Sequence, residues 1–469
     1  MSHQDRPCPL VINHQTLKQV IDWLLAPGVF ARLRGSQLAT WKPRMLAATA
    51  LLWATSDLST LHARFVQARK IVTKVFRWQL APGGSCQGFL KMLGKWQEEL
   101  LGAILPHLRD RMQTGLPEHW LTAGYALFAV DGSRVALARS KALEAVFAPR
   151  RRRARKPAAG GRRARKRQTA AARHKKATSP QLCLTLLWHV GSGLPWAWRT
   201  GPSGASEHDH LGALVAELPA QALLVADAGF VGYELWQSLL RAGHHFVIRV
   251  GANVRLLRQL GWVREHAQVV YVWPDHAARK RQPPLVLRLV VVQDGKQPVY
   301  LVTDLPKTCL RDRQVATLYA ARWGVEVFFR TFKQTFGCRK LRSRAARNAQ
   351  LELEWALVGV WGVCLLGTRE LHACGYAPAR LSPAAALRAF QQLLREYRVR
   401  PATHAETLWS QLRLARLDNY QRRAAKTSRA YPRKKRRPPI GIPQITRATE
   451  QQIAQAAALQ DKEAFRLAA

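Results

Sequence analysis

Acidic residues are scarce in this chain. Only 29 Asp and Glu stand against 74 Lys and Arg in 469 residues, a formal net charge of +45. Self-repulsion on that scale opposes a compact fold unless a polyanion offsets it. Nucleic acid is the first candidate for that partner and an anionic membrane surface the second. Part of the Arg and Ala excess can reflect genome composition, but its clustering cannot. Cysteine is also sparse. The seven thiols (Cys8, Cys86, Cys183, Cys309, Cys338, Cys364, Cys374) are scattered, odd in number and never spaced C-x-x-C. Neither a zinc site nor a disulfide framework is indicated, and they read as buried thiols in a reducing cytoplasm. Long hydrophobic runs are missing: the most apolar stretch, Trp355 to Leu366, is too short to span a bilayer and reads as a core helix. The opening MSHQDRPCPL lacks the charged-then-apolar pattern of a signal peptide, and no internal repeat is present. The expectation is a cytoplasmic protein without a membrane partner.

What is present is ample core material. At 48% hydrophobic the chain is no disordered basic protein, and its length is a soft prior for two to four domains. Residues 1–120 read as helical, with apolar residues at helical spacing over Thr16–Leu25, Pro43–Trp53, Leu58–Phe76 and Gln87–Arg111. Ser56 and Ser59 are candidate N-caps. The pattern changes at Ala126, where Ala126–Val130 is a short apolar strand ending at Asp131. A basic block over 150–176 carries 14 Arg or Lys and no acid, and reads as a solvated DNA-gripping loop. Leu182–His189 and Leu194–Thr200, joined by Gly191-Ser192-Gly193, read as a β-hairpin. A helix over Leu211–Leu218, a strand over Leu223–Ala226, a helix over Gly232–Ala242 and a strand over Phe246–Val250 follow. Residues 253–300 alternate as strands do. From Arg311 the pattern is helical through to His372, Ser382–Tyr397 forms another amphipathic helix, and a basic tail with Arg433 to Arg437 precedes a last helix near Glu450–Leu467.

The chemistry-bearing residues fall at three places. Val130-Asp131-Gly132 and Ala226-Asp227-Ala228 each put an aspartate at the end of an apolar strand, flanked by small residues that leave room for a metal and a phosphate. Tyr319, Arg322, Glu326 and Lys333 lie in one expected helix. At 100° per residue they fall at roughly 0°, 300°, 340° and 320°, one face about 60° wide. Two strand-borne aspartates and a helix-borne glutamate can converge on two Mg²⁺ ions about 3.5–4 Å apart. Three carboxylates cannot converge unneutralised, so the crevice needs cations. Each feature has a plainer reading. A lone aspartate at a strand end is usually a cap, and the helix face could be a solvated, salt-bridged stripe. Their joint occurrence favours the site. Asp304, after the strand Tyr300–Thr303, is a minor rival to Glu326 as third acid. Glu207-His208-Asp209-His210 looks like metal-ligand material, but reads better as the polar start of a helix before Leu211.

Tyr319-x2-Arg322-x3-Glu326-x6-Lys333 resembles the Y-x2-R-x3-E-x6-K signature of bacterial cut-and-paste transposases of the insertion-sequence-four family. The strings around Asp131 and Asp227 resemble that family's two aspartate boxes, and the resemblance covers roughly residues 121–345. It implies an α/β fold: a ribonuclease H-like catalytic core with a small β-rich insertion, flanked by helical N- and C-terminal regions. It implies that Asp131, Asp227 and Glu326 are catalytic and bind two Mg²⁺ ions, for which Mn²⁺ can substitute. Arg322 and Lys333 would contact DNA phosphates, Tyr319 would hydrogen-bond a phosphate, and Trp323 or Trp273 would stack on a flipped base. The 99 residues from Asp227 to Glu326 leave space for the insertion.

The expected organisation is a DNA-binding region over 1–120, catalytic core over 121–252 and 301–375, a β-rich insertion over 253–300, and a helical region over 376–469 that pairs protomers. The expected function is excision and integration of an insertion sequence at terminal inverted repeats, by a homodimer acting on double-stranded DNA at the bacterial nucleoid. The alternatives are a ribonuclease H-like nuclease that never joins strands, and an idle DNA-binding relic of a transposase.

Overall fold

The computed structural model describes residues 9–33, 41–76, 84–148, 179–294, 297–397, 408–418 and 440–468. The basic block of 150–176 and the Arg433–Arg437 cluster lie outside the described residues.

Ten strands form one mixed sheet: β1 (Ala126–Ala136), β2 (Gln181–His189), β3 (Leu194–Pro202), β4 (Ala222–Ala226), β5 (His245–Val250), β6 (Arg255–Arg258), β7 (Val269–Val272), β8 (Leu285–Asp294), β9 (Gln297–Thr303) and β10 (Gln444–Arg447). Their order across the sheet is β10-β6-β7-β8-β9-β5-β4-β1-β2-β3. The hairpin β2–β3 is antiparallel, as is β1–β2, whereas β4 runs parallel to both β1 and β5. An antiparallel meander followed by two parallel strands is the ribonuclease H-like arrangement that the resemblance implies. All five residues of β4 are apolar and buried, as a parallel strand covered on both faces requires.

The helices are α1 (Pro9–Leu24), α2 (Pro43–Thr55), α3 (Leu61–Val75), α4 (Cys86–Lys95), α5 (Gln97–Gly115), α6 (Lys141–Phe147), α7 (Glu207–Leu214), α8 (Tyr233–Arg241), α9 (Asp275–Arg279), α10 (Asp312–Ala321), α11 (Trp323–Gln334), α12 (Ala346–Ala373), α13 (Pro383–Glu396), α14 (Leu408–Arg413) and α15 (Glu450–Ala468). The long helix α12 is the hub. It packs against α2, α4, α5, α13, α14 and β3, and buries Trp355 and Trp361 completely. Each such large side chain contributes about 1.5–3 kcal/mol of burial. By length and composition alone α12 could cross a membrane, but 89% of its most apolar window is buried inside the protein. It is the core helix expected at Trp355–Leu366.

Several expectations change in detail. Strand β1 does not end at Asp131. It runs on to Ala136 because β2 keeps pairing with it as far as Gln181, while β4 stops at Ala226. The strands expected over 253–300 extend the main sheet. Strand β9 pairs with β5 and carries β8, β7 and β6 onto the same sheet, and β10 returns from the C-terminal part to pair with β6. The N-cap of α3 is Thr60, whose side chain accepts from the Ala63 amide at 3.1 Å, rather than Ser56 or Ser59. Ser56 instead ends α2, and its hydroxyl donates to Gln67. The helix expected over Gln87–Arg111 breaks at Trp96 into α4 and α5.

The helical stretch expected from Arg311 to His372 is three helices, and the one helix expected to carry Tyr319, Arg322, Glu326 and Lys333 is two, α10 and α11. Arg322 separates α10 from α11 while keeping helical dihedrals (φ −51°, ψ −32°), and its amide bonds to Tyr319 three residues back. A cause lies next door: the Trp188 ring sits against Gly324, so close that a Cβ there would meet it at 2.1 Å. Gly337, at φ +70°, follows the end of α11.

Candidate active site

The parallel register between β1 and β4 pairs Ala129 with Val225. Two residues further on, Asp131 within β1 and Asp227 just beyond β4 therefore lie at the same level. Adjacent strands lie about 4.8 Å apart, which makes the two aspartates neighbours by backbone geometry alone. Helix α11 packs against β1 and α10 against β4 and β5, bringing the third acid and its cations over that sheet edge.

The polar groups there are bonded as follows. Asp131 Oδ1 accepts from the Gly132 amide at 2.8 Å. Tyr319 donates its hydroxyl to Asp227 Oδ1 at 3.3 Å. Arg322 donates to Glu326 Oε1 at 2.8 Å, across one helical turn, and its guanidinium lies 5.6 Å from the Tyr319 ring centre. Arg322 is only 9% exposed, and its Nε has no partner among the described residues. Burial pushes the Asp131 carboxyl up to about 6. The Gly132 amide and Arg322 oppose that rise, and Glu326 and Glu207 add to it. Burial works against the Arg322 charge, but Tyr319, Glu326 and Asp227 outweigh it and raise its pKa. Burial raises the Tyr319 phenol, with Asp227 adding. Burial lowers the Lys333 pKa, against the pull of Asp131. Lys333 is half-buried, with the Asp131 charge favouring its protonated form.

The donor set suits a hard divalent cation. All three acids offer oxygen, and each uses one oxygen in the bonds above. Among the described residues the second oxygen of each has no hydrogen-bond partner. Such oxygens are what Mg²⁺ or Mn²⁺ takes.

The remaining candidates are placed as follows. Trp323 is 60% exposed beside Arg322, with a ring face open to solvent. Trp273 is 4% exposed and donates its Nε1 to the Gln282 carbonyl at 2.8 Å, which makes it a buried tryptophan. Asp304 is at the opposite end of the sheet. It accepts from His245 Nδ1 at 2.6 Å and from the Phe246 amide at 3.0 Å, at the start of β5, whereas Asp227 lies beyond the end of β4. Its carboxylate fastens a loop and does not join the other acids. A separate group, Glu118, His119 and His372, brings its ligand atoms within 4.8 Å of one another, but contains none of the three acids.

One contributor went unnoticed in the sequence. Arg249 of β5 brings a positive charge close to Tyr319 and opposes the rise of its phenol pKa. The available signal was a charged residue inside the apolar strand Phe246–Val250.

A ribonuclease H-like sheet with two level aspartates and a helix-borne glutamate defines the class of metal-dependent polynucleotidyl enzymes. The particular family follows from comparison. The family model described as the transposase DDE domain matches residues 122–359, about half of the chain, and the chain belongs to that family. It is 26% identical over 223 residues to the transposase InsG for insertion sequence element IS4 of Escherichia coli (strain K12). That match covers 44% of this chain and 49% of the relative, so the chain spans about half the length of the curated relative it matches. Among solved structures, the piggyBac transposase synaptic complex with hairpin DNA aligns over 89% of this chain and 87% of the other, at 12% identity and a TM-score of 0.38. Family membership implies use of a divalent metal.

Proposed function

We propose that this chain is a transposase that excises and integrates an insertion sequence by phosphodiester hydrolysis and strand transfer at terminal inverted repeats. The observation that carries the reading is that Asp131 and Asp227 lie at the same level on neighbouring strands, with Glu326, bonded to Arg322, on the helix packed against β1. Asp131, Asp227 and Glu326 would hold two Mg²⁺ ions, with Mn²⁺ as a substitute. When bound, these ions activate a water or 3′-OH and stabilise the leaving oxygen.

The chain's own residues divide the remaining work. Arg322 positions the Glu326 carboxylate and would lend its charge to a DNA phosphate. Tyr319 orients Asp227, with the Arg249 charge close by. Lys333 offsets the negative charge at Asp131 and can reach a scissile phosphate. Trp323, exposed at the rim, offers an indole face to an unstacked base.

The same reading assigns residues 121–252 and 301–375 to catalysis, 253–300 to an insertion, 1–120 to recognition of the repeats and 376–469 to pairing of protomers. A homodimer on double-stranded DNA in the bacterial cytoplasm, at the nucleoid, completes it. The net charge of +45 supports a DNA partner.

The test is cleavage of a supercoiled plasmid carrying the element's own terminal repeats, with wild type and Glu326→Ala, in Mg²⁺ and in EDTA. Metal-dependent excision with joined products, lost in the variant, is the expected result. Nicking without joining would replace the transposase with a nuclease. Tight binding with no cleavage in any condition would leave a DNA-binding relic.

A further inference from the structure

Away from the three acids, a second group of side chains gathers without bonding to one another. Glu118 and His119 lie in a single 3₁₀ turn, Pro117–His119, on the segment that leads from α5 into β1. His372 arrives from the last turn of α12. One ligand atom from each of the three lies within 4.8 Å of the other two. The two imidazoles meet edge to face, with ring centres 5.6 Å apart. Among the described residues none of the three side chains makes a hydrogen bond or an ion pair. A plain ring contact accounts for the histidines. It does not account for a carboxylate that sits near both imidazoles and pairs with neither.

The backbone on both sides is held in place. The His119 carbonyl packs on Gly191, at the β2–β3 turn, so closely that a Cβ there would lie 2.0 Å from its oxygen. The next residue, Trp120, stacks on His189 with ring centres 4.4 Å apart, and its carbonyl is 3.0 Å from His189 Nε2. The His372 carbonyl accepts from the Gly375 amide at 2.8 Å, which closes the end of α12. Bonds of 2.0–2.1 Å to a tetrahedral ion place its ligand atoms roughly 3.3 Å apart. Side-chain rotation on these fixed backbones can close the remaining gap. The two histidines are half-buried and Glu118 is exposed, so a fourth position can be taken by water. Two imidazole nitrogens and one carboxylate suit a borderline transition metal, whereas the all-oxygen set of Asp131, Asp227 and Glu326 suits a hard cation.

We propose that Glu118, His119 and His372 form a transition-metal site of the Zn²⁺ class, separate from the acidic centre. An ion there would tie the segment entering β1, the strand of Asp131, to the end of the hub helix α12. It would brace the junction between the N-terminal helices and the sheet.

The test is a Zn²⁺ titration of the full chain against a chelating dye, in excess Mg²⁺ at pH 7.5, with melting curves in parallel. Wild type is compared with His119→Ala, His372→Ala, Glu118→Gln and Asp131→Asn. Wild type is expected to bind Zn²⁺ at a site that Mg²⁺ does not compete for. His119→Ala and His372→Ala should each weaken that binding by about tenfold or more, Glu118→Gln should weaken it less, and Asp131→Asn should retain it. Zn²⁺ at a hundredfold excess over its dissociation constant should raise the wild-type melting temperature by roughly 3–5 °C and leave that of His372→Ala unmoved. Without zinc, His372→Ala should melt close to wild type, which separates lost binding from lost folding. If His119→Ala does not fold, His372→Ala decides alone. Equal Zn²⁺ binding by wild type and His372→Ala overturns the proposal. So does binding lost in Asp131→Asn, or a wild type whose Zn²⁺ is displaced by Mg²⁺.

Discussion

Removing the Arg322 guanidinium should produce a stability defect that a divalent metal repairs. In the metal-free protein this group is the cation bonded to Glu326, at 2.8 Å, and it contributes to the charge balance of Asp131 and Asp227. A charge-assisted hydrogen bond is worth roughly 1.5–3 kcal/mol, and the low end applies because the Glu326 side chain is 33% exposed. Its position over the Tyr319 ring adds about 0.5–1 kcal/mol. Arg322→Ala should thus cost about 2 kcal/mol without metal. A chain of this size shifts roughly 1–2 °C per kcal/mol, so the melting temperature should fall by about 3 °C. Saturating Mg²⁺ or Mn²⁺ supplies the missing positive charge to the same carboxylates. The gap between variant and wild type should then shrink by more than half. The assay is thermal or urea denaturation of both proteins at pH 7.5, with metal and with EDTA. A gap of equal size in both conditions would refute the reasoning, because Arg322 would then act only by packing, independently of the acids' charge.

Three further outcomes follow from other parts of the structure. His189 is fully buried between Ser192 and the Trp120 carbonyl, and burial holds its pKa down at about 4. The unfolded chain therefore binds the extra proton first as pH falls. Stability should drop between about pH 6.5 and 4 by roughly 3 kcal/mol from this residue alone, and urea midpoints across that range should show less of the drop in His189→Gln. Gly324→Ala places a methyl 2.1 Å from the Trp188 ring and should cost about 1–3 kcal/mol, read as a lower melting temperature with an altered near-ultraviolet spectrum. Asp304→Asn breaks the 2.6 Å contact with His245 and should cost about 1 kcal/mol in urea denaturation. It should leave metal-dependent DNA cleavage at the wild-type rate, and a loss comparable to that of Glu326→Ala would restore Asp304 as the third acid.

The sequence by itself determined the local pieces. The apolar runs before Asp131 and Asp227, the Gly191-Ser192-Gly193 turn and the Glu326-to-Lys333 spacing are short-range patterns, and backbone sterics and side-chain periodicity translate them directly into strands, a hairpin and a helix face. What depends on distant segments was decided only by the tertiary structure. The extension of β1 past Asp131 follows from where β2 and β4 happen to end, and neither end is written near Asp131. The break at Arg322 goes with the close approach of the Trp188 ring to Gly324, across more than a hundred residues of sequence. Asp304 and Glu326 are equally acidic in sequence, and the antiparallel return of β9 puts the former at the far end of the sheet. Charge and periodicity are properties of neighbours along the chain, whereas the company a carboxylate keeps is set by which strands lie side by side.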